Sequence, residues 1–287
     1  MKRKKYEADI PWCVEQFSGG GIFDDLSNLL NLSDFSSFPS AAQLTQLMTQ
    51  LQADQKLKPV EFIAQSDSMN WHGMSYEELI FAKQKIPTRI DNWHDLFNAC
   101  IWALFPNTKR CLNELHVNDI TQYGLKQRTK QRDALTLFDE CGVVLAYTQD
   151  TDKTALKTHL WLESFWQNRS RWFTSIKPFI FGHAMYEMSL KPFIGLTAKA
   201  YFLRVSDDFF QWPAAQQYRY LDQQLAREIA EQATLKNNQH LSPLPILGVP
   251  FWYDDNQERE FYLNENYFRP KRQPKVIKNK EKDIQSN

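Results

Sequence analysis

Most of this chain is written in helical periods, and that restricts the fold more than any other feature. Leu44, Leu47, Met48 and Leu51 follow Ser40 at the spacing of one helix face. Ser75 and Glu78 form the sequence pattern of a capping box, which predicts a helix running to Lys85 and stopping before Pro87. Pro87-Thr88-Arg89 reads as a loop. Asn92 then caps a wide apolar face made by Leu96, Phe97, Cys100, Ile101, Ala103 and Leu104, closed by Pro106. Further helices are expected from Asn107 to Val117, from Thr151 or Asp152 to about Ser175, from Gly182 to Leu190, and over 214–233. Residues 6–38 read as an irregular arm, with a flexible break at Ser18-Gly19-Gly20-Gly21.

Extended runs are fewer and unevenly spaced. Val60–Ala64, Phe179–Phe181 and Leu196–Val205 are short candidates. Ala134–Phe138 and Val143–Tyr147 flank Asp139-Glu140-Cys141-Gly142, which predicts a hairpin with a four-residue turn ending in glycine. Strands and helices do not alternate as βαβ units require. The expected fold is therefore α+β, predominantly helical, with a small antiparallel sheet built around a 134–147 hairpin. Leu244–Trp252 is too rich in proline for a central strand and is expected to pack over the body as an aromatic strap.

Composition narrows the function classes. Basic and acidic residues balance at 34 each. Four basic side chains crowd residues 2–5, and residues 269–287 carry a net charge of +5, leaving −9 on the body between them. An acidic body argues against a nucleic-acid surface. Residues 1–5 are expected to be a disordered basic end, 6–268 a single globular domain and 269–287 a disordered basic tail. No apolar run is long enough to span a bilayer, and no signal core follows the N-terminus. Cys13, Cys100, Cys111 and Cys141 make no Cys-x-x-Cys pair, which fits free thiols and a cytoplasmic protein. Gly-x-Ser-x-Gly, Walker and dinucleotide-binding glycine patterns are absent.

Several separated motifs occur in order: Pro87-Thr88-Arg89, Trp93–Asn98, Phe105-Pro106, Arg132–Glu140, Phe181–Glu187, Leu244–Pro250 and Phe268-Arg269-Pro270. Together they resemble an uncharacterised proteobacterial family, domain of unknown function 3025, over roughly Pro59 to Arg272. The resemblance implies a bacterial, cytoplasmic, single-domain protein and brings no ligand or catalytic residue with it.

The same motifs concentrate histidines and carboxylates. His94 and Asn98 lie four apart on one helix, as do His183 and Glu187 on another. Asp139 and Glu140 sit in the expected hairpin turn, with Arg132 and Asp133 where its first strand begins. If these three regions converge, His94, His183 and Glu187 can ligate Zn, Mn or Fe, because neutral imidazole and carboxylate suit such cations. Asp95, Arg132, Asp133 and Glu140 are then the expected catalytic groups, and Arg89 and Asn98 the groups that bind a small anionic substrate such as a phosphoester. A metal-free acid–base pair uses the same residues. Each piece also has a plain structural use: Asp95 as a helix-cap residue, Asp139 and Glu140 as turn residues, His183 and Glu187 as a helix pair. His72, His116 and His240 have no companions at useful spacing. The alternative to a hydrolase is a non-enzymatic module that binds a ligand or a protein in an aromatic groove framed by the strap and by Trp161, Trp166 and Trp172.

Overall fold

A computed structural model describes residues 10–17, 21–53, 55, 57–66, 69 and 71–272. The basic end at 1–5, residues 18–20 of the glycine break, and the tail from 273 onward lie outside the described residues.

The N-terminal arm is not wholly irregular. Helix α1 (Asp24–Leu30) buries Leu26 and Leu30, and Asn31 ends it in a left-handed conformation. Helix α2 (Ala41–Leu51) opens with the Ser40–Gln43 capping box. It packs on strand β1 (Glu61–Ala64). Helix α3 (Tyr76–Lys83) starts at the Ser75–Glu78 box. Strand β2 (Lys85–Thr88) follows it and pairs in parallel with β1. Pro87 was expected in a loop; a two-stranded sheet leaves β2 an unpaired side, where a proline costs no ladder bond.

Helix α4 (Trp93–Leu104) is buried almost all round, which its wide apolar face requires. Pro106 is the first residue of helix α5 (Pro106–Tyr123), because a proline at that position gives up an N–H that has no helical partner anyway. That helix runs longer at its C-terminal end than the expected stop at Val117.

The 134–147 hairpin is corrected. Lys130–Cys141 forms helix α6, and only Gly142–Tyr147 forms a strand, β3. Thr129 caps the helix by accepting from the Arg132 N–H. Ala134, Leu135 and Phe138 face the core at helical spacing, so the apolar run that reads as a strand is one side of a helix. Gly142 is therefore no turn glycine. A Cβ there would lie 2.3 Å from the Phe138 carbonyl oxygen, so only glycine allows the chain to leave α6 so tightly.

Helix α7 (Asp150–Lys157) is shorter than expected. His159, at φ 62°, breaks it, and a π-helical turn over Leu162–Gln167 follows instead of a continuous helix to Ser175. Strand β4 (Ile176–Ile180), helix α8 (His183–Ser189), strand β5 (Thr197–Arg204), helix α9 (Ala214–Gln232) and strand β6 (Ser242–Pro245) complete the order. The main sheet runs β4-β3-β5-β6. It is mixed: β3 is antiparallel to β4 and parallel to β5, and β6 is antiparallel to β5. Every residue of β3 is buried, as a central strand covered on both faces demands. The proline-bearing strap supplies only the edge strand β6 and then packs Ile246, Leu247 and Val249 into the core. Trp161 and Trp172 are largely buried as well, and both stack on Phe165.

What positions the site is one crossing. Gly182 precedes α8, and a Cβ on it would meet Gly142 N at 2.4 Å and the Glu140 carbonyl oxygen at 2.5 Å. The Gly182 N–H donates to the Gly142 carbonyl at 2.7 Å. Two glycines thus let the end of α6 touch the start of α8. Helix α4 packs against α8.

Candidate functional site

Helices α4, α6 and α8 each send one end into a cleft of about 420 Å³. Asn92 caps α4 by accepting from the Asp95 N–H, which sets His94 in the first turn. His94 and His183 are both buried, and their Nε2 atoms lie 3.0 Å apart. His94 Nδ1 lies 2.8 Å from the Glu187 carboxylate, itself almost fully buried. A carboxylate only accepts, so this nitrogen carries a proton, and in the neutral ring Nε2 then holds the lone pair.

His183 has no comparable solution. Its Nδ1 is buried without a hydrogen-bond partner among the described residues, and the nearest carboxylate oxygen, Asp139 Oδ2, is 3.8 Å away. A proton on Nδ1 suits that carboxylate but sets two Nε2 lone pairs 3.0 Å apart. A proton on Nε2 bonds to His94 but turns the Nδ1 lone pair towards Asp139. Both neutral tautomers leave a conflict in a buried place, where it is costly. Charging the ring is no escape. Burial pushes the His183 imidazole down to about 3, with Lys109 and His94 adding to the shift and Asp139 opposing it.

Glu140 Oε2 stands 3.8 Å from His183 Nε2. One donor atom from each of His94, Glu140 and His183 falls within 4.8 Å of the others. Tetrahedral bonds of the length zinc makes to nitrogen and oxygen separate neighbouring ligand atoms by roughly 3.3 Å. The observed 3.0 and 3.8 Å bracket that value. This is the only such group among the described residues.

The surrounding shell is well tied. Lys109 Nζ donates to Asp139 Oδ1 at 2.5 Å and to Asn98 Oδ1 at 3.0 Å. Burial pushes the Asp139 carboxyl up, but Lys109 and then His183 outweigh it and hold it below the usual aspartate range. Asn98 also donates to the Tyr76 hydroxyl. Asp95 clamps Arg89: Oδ1 accepts from Nη2 at 2.8 Å, and Oδ2 accepts from Nε at 3.1 Å and from the backbone N–H at 2.6 Å.

The expected residues are thus partly gathered. His94, His183, Glu187, Glu140, Asp95, Arg89 and Asn98 meet at or beside the cleft. Glu187 stands behind His94 rather than beside its Nε2, in the place of a residue that orients a ligand. Glu140, expected as a catalytic group, has the third ligand position instead. Arg132 and Asp133 are not brought in. As members of a helix they lie about two turns, roughly 12 Å, back from Glu140. Arg132 donates to the carbonyls of Gly124, Leu125 and Gln127. Asp133 is exposed and pairs with Arg128.

Sequence reasoning missed His116 and Lys109. His116 lines the cleft from α5, and burial lowers its pKa against the opposing pull of Glu77 and Asp139. Its companions come from other helices, so no spacing signal marks it. Burial pushes the Cys111 thiol up to about 11 and raises Cys100 and Cys141 as well, which disfavours their thiolates.

A family model described as a protein of unknown function, DUF3025, matches residues 60–272. The chain belongs to the DUF3025 family. The matched segment contains every residue of the cleft named above. No curated protein and no solved structure matches the chain. No helix among the described residues is long and apolar enough to cross a membrane.

Proposed function

We propose that this chain is a metal-dependent hydrolase whose cation is held by His94 Nε2, His183 Nε2 and a Glu140 carboxylate oxygen. The observation that carries the reading is the buried pair of Nε2 atoms 3.0 Å apart. The His183 tautomer that bonds to His94 leaves its Nδ1 lone pair facing Asp139, and a divalent cation between the two Nε2 atoms removes that conflict. Zn, Mn and Fe all accept this donor set. Three protein ligands leave a coordination position open to the cleft, the pattern of catalytic rather than structural sites.

When bound, such a cation polarises a substrate oxygen and makes water a better nucleophile near neutral pH. Glu187 holds the proton on His94 Nδ1, and Asp139, fixed by Lys109, favours the corresponding proton on His183 Nδ1. Both rings then present lone pairs in one direction. His116 has no hydrogen bond to its ring among the described residues, and burial keeps it neutral. As it lines the same cleft, it is the group this reading assigns to accept a proton from water.

A small phosphoester is the first substrate class to test. Its negative charge is met mainly by the cation, because both oxygens of Asp95 already hold Arg89. Four cysteines without a disulfide fit a reducing compartment such as the cytoplasm. The test is a panel of chromogenic phosphomonoesters, phosphodiesters and carboxylic esters, assayed with chelator-treated protein reloaded with Zn, Mn or Fe. The reading expects turnover that depends on the metal and disappears in Glu140→Gln. Turnover that survives both chelation and Glu140→Gln would transfer the activity to a metal-free histidine pair.

A further inference from the structure

A second cleft, larger than the first and sharing no lining residue with it, encloses about 620 Å³ against the β5–β6 edge of the main sheet. Its floor follows from strand alternation. Ala198, Ala200 and Leu244 point into the core and are fully buried. Thr197 and Lys199 point the other way, opposite Pro245 and Pro243 of β6. The opposite wall is the His159–Trp161 stack, with ring centroids 4.6 Å apart.

The C-terminal segment of the described chain closes the cleft and is pinned there. The Trp161 indole N–H donates to the Arg269 carbonyl at 2.7 Å, and the His159 Nδ1–H donates to the same oxygen at 3.1 Å. The Tyr267 hydroxyl donates to the Leu196 carbonyl at 2.6 Å and accepts from the Leu247 N–H. These bonds also explain the left-handed backbone at His159, which turns its ring back onto Trp161.

The charge in this cleft has one sign. Lys199, Arg269, Lys271 and Arg272 line it, and no carboxylate does. On a chain whose body is acidic, such a concentration is a local exception. The remaining lining is ring and proline surface. The volume lies inside the range of small-molecule pockets. Two prolines on β6 remove the donors that an added peptide strand needs.

From this juxtaposition we infer that the β5–β6 cleft binds a small amphiphilic organic anion. Its acidic group meets Lys199 and the basic rim, and its apolar body lies against Trp161, Tyr267 and the prolines. Basic side chains over apolar walls hold a carboxylate, sulfonate or phosphate more firmly than they do in open water. The site is independent of the metal reading, because the two clefts have no residue in common.

The probe is 8-anilinonaphthalene-1-sulfonate, titrated into the full chain and followed by its fluorescence. Saturable binding of one dye per chain is expected. Decanoate should displace it, and decyltrimethylammonium at equal concentration should not. Lys199→Glu and Arg272→Glu should each weaken binding at least about tenfold while the melting temperature stays at the wild-type value. Two variants guard against a folding defect in either. Dye binding that is unchanged in both variants would overturn the inference. Equal displacement by the cationic detergent, or displacement by a short single-stranded oligonucleotide but not by decanoate, would also overturn it.

Discussion

Adding a divalent cation to chelator-stripped protein should raise its melting temperature by an amount that the proposed ligand set allows to be worked out. A ligand that binds only the folded state stabilises it by RT ln(1 + [L]/Kd), about 2.7 kcal/mol at a hundred times Kd. For a chain of this size each kcal/mol moves the midpoint by roughly 2–4 °C, so the shift should be about 5–11 °C. Three ligands come from three different helices, α4, α6 and α8, and the cation cannot bind fully once any of these has separated. Differential scanning fluorimetry with Zn²⁺ and Mn²⁺ is a suitable assay. Glu140→Gln is the sharpest comparison, because Glu140 is partly exposed and its replacement leaves both histidines in place. That variant should lose most of the shift. A wild-type shift that persists undiminished in Glu140→Gln and in His183→Ala would refute the reasoning, since the cation would then be binding elsewhere.

Glu187→Gln should lower cation affinity about 10- to 100-fold, measured by competition with a chromogenic chelator, because the Nδ1 proton of His94 loses its charged acceptor. Gly182→Ala should destabilise the chain by about 3 kcal/mol in urea unfolding, since its Cβ would meet backbone atoms of Glu140, Cys141 and Gly142 at 2.4–2.6 Å that cannot rotate aside. His116→Gln should retain the metal but lose hydrolysis by about 10²-fold or more in kcat, the usual worth of a proton acceptor. Lys109→Met should cost about 3 kcal/mol, as it strands the partly buried Asp139. The sign with pH follows from Asp139, whose folded pKa lies below its unfolded value. Its contribution is present above the unfolded value of about 4 and is lost as pH falls through the folded one, so acid unfolding of Lys109→Met should be shallower over that window.

The helical part of the fold is legible because its signals are local. Ser40, Ser75 and Asn92 cap the helices they announce, and the mainly helical α+β class follows from them. The hairpin at 134–147 misleads because Ala134–Phe138 is a short apolar run that suits a strand or a helix face equally. What decides it is Gly142, and the reason lies in a contact with Phe138 and Gly182 that no spacing reveals. Neither form brings Arg132 to Glu140: eight residues separate them, about two turns on α6 and further still along a strand, and Arg132 goes to the carbonyls beyond α5. The spacing of His183 and Glu187 suggests that they serve one centre, but it cannot tell a ligand from the residue that orients another helix's ligand. His116 and Lys109 are silent in the sequence because their partners, Glu77 and Asp139, stand on separate helices.

The central claim is the cation between His94 and His183, and metal content by plasma mass spectrometry tests it most directly. The protein would be expressed without a tag, purified without chelator and compared with a His94→Ala/His183→Ala variant shown by circular dichroism to be folded. The account predicts close to one equivalent of Zn, Mn or Fe per chain, and only background in the variant. Wild-type protein that carries no more metal than the variant, even after incubation with each cation, would contradict it and leave the two imidazoles as a buried hydrogen-bonded pair.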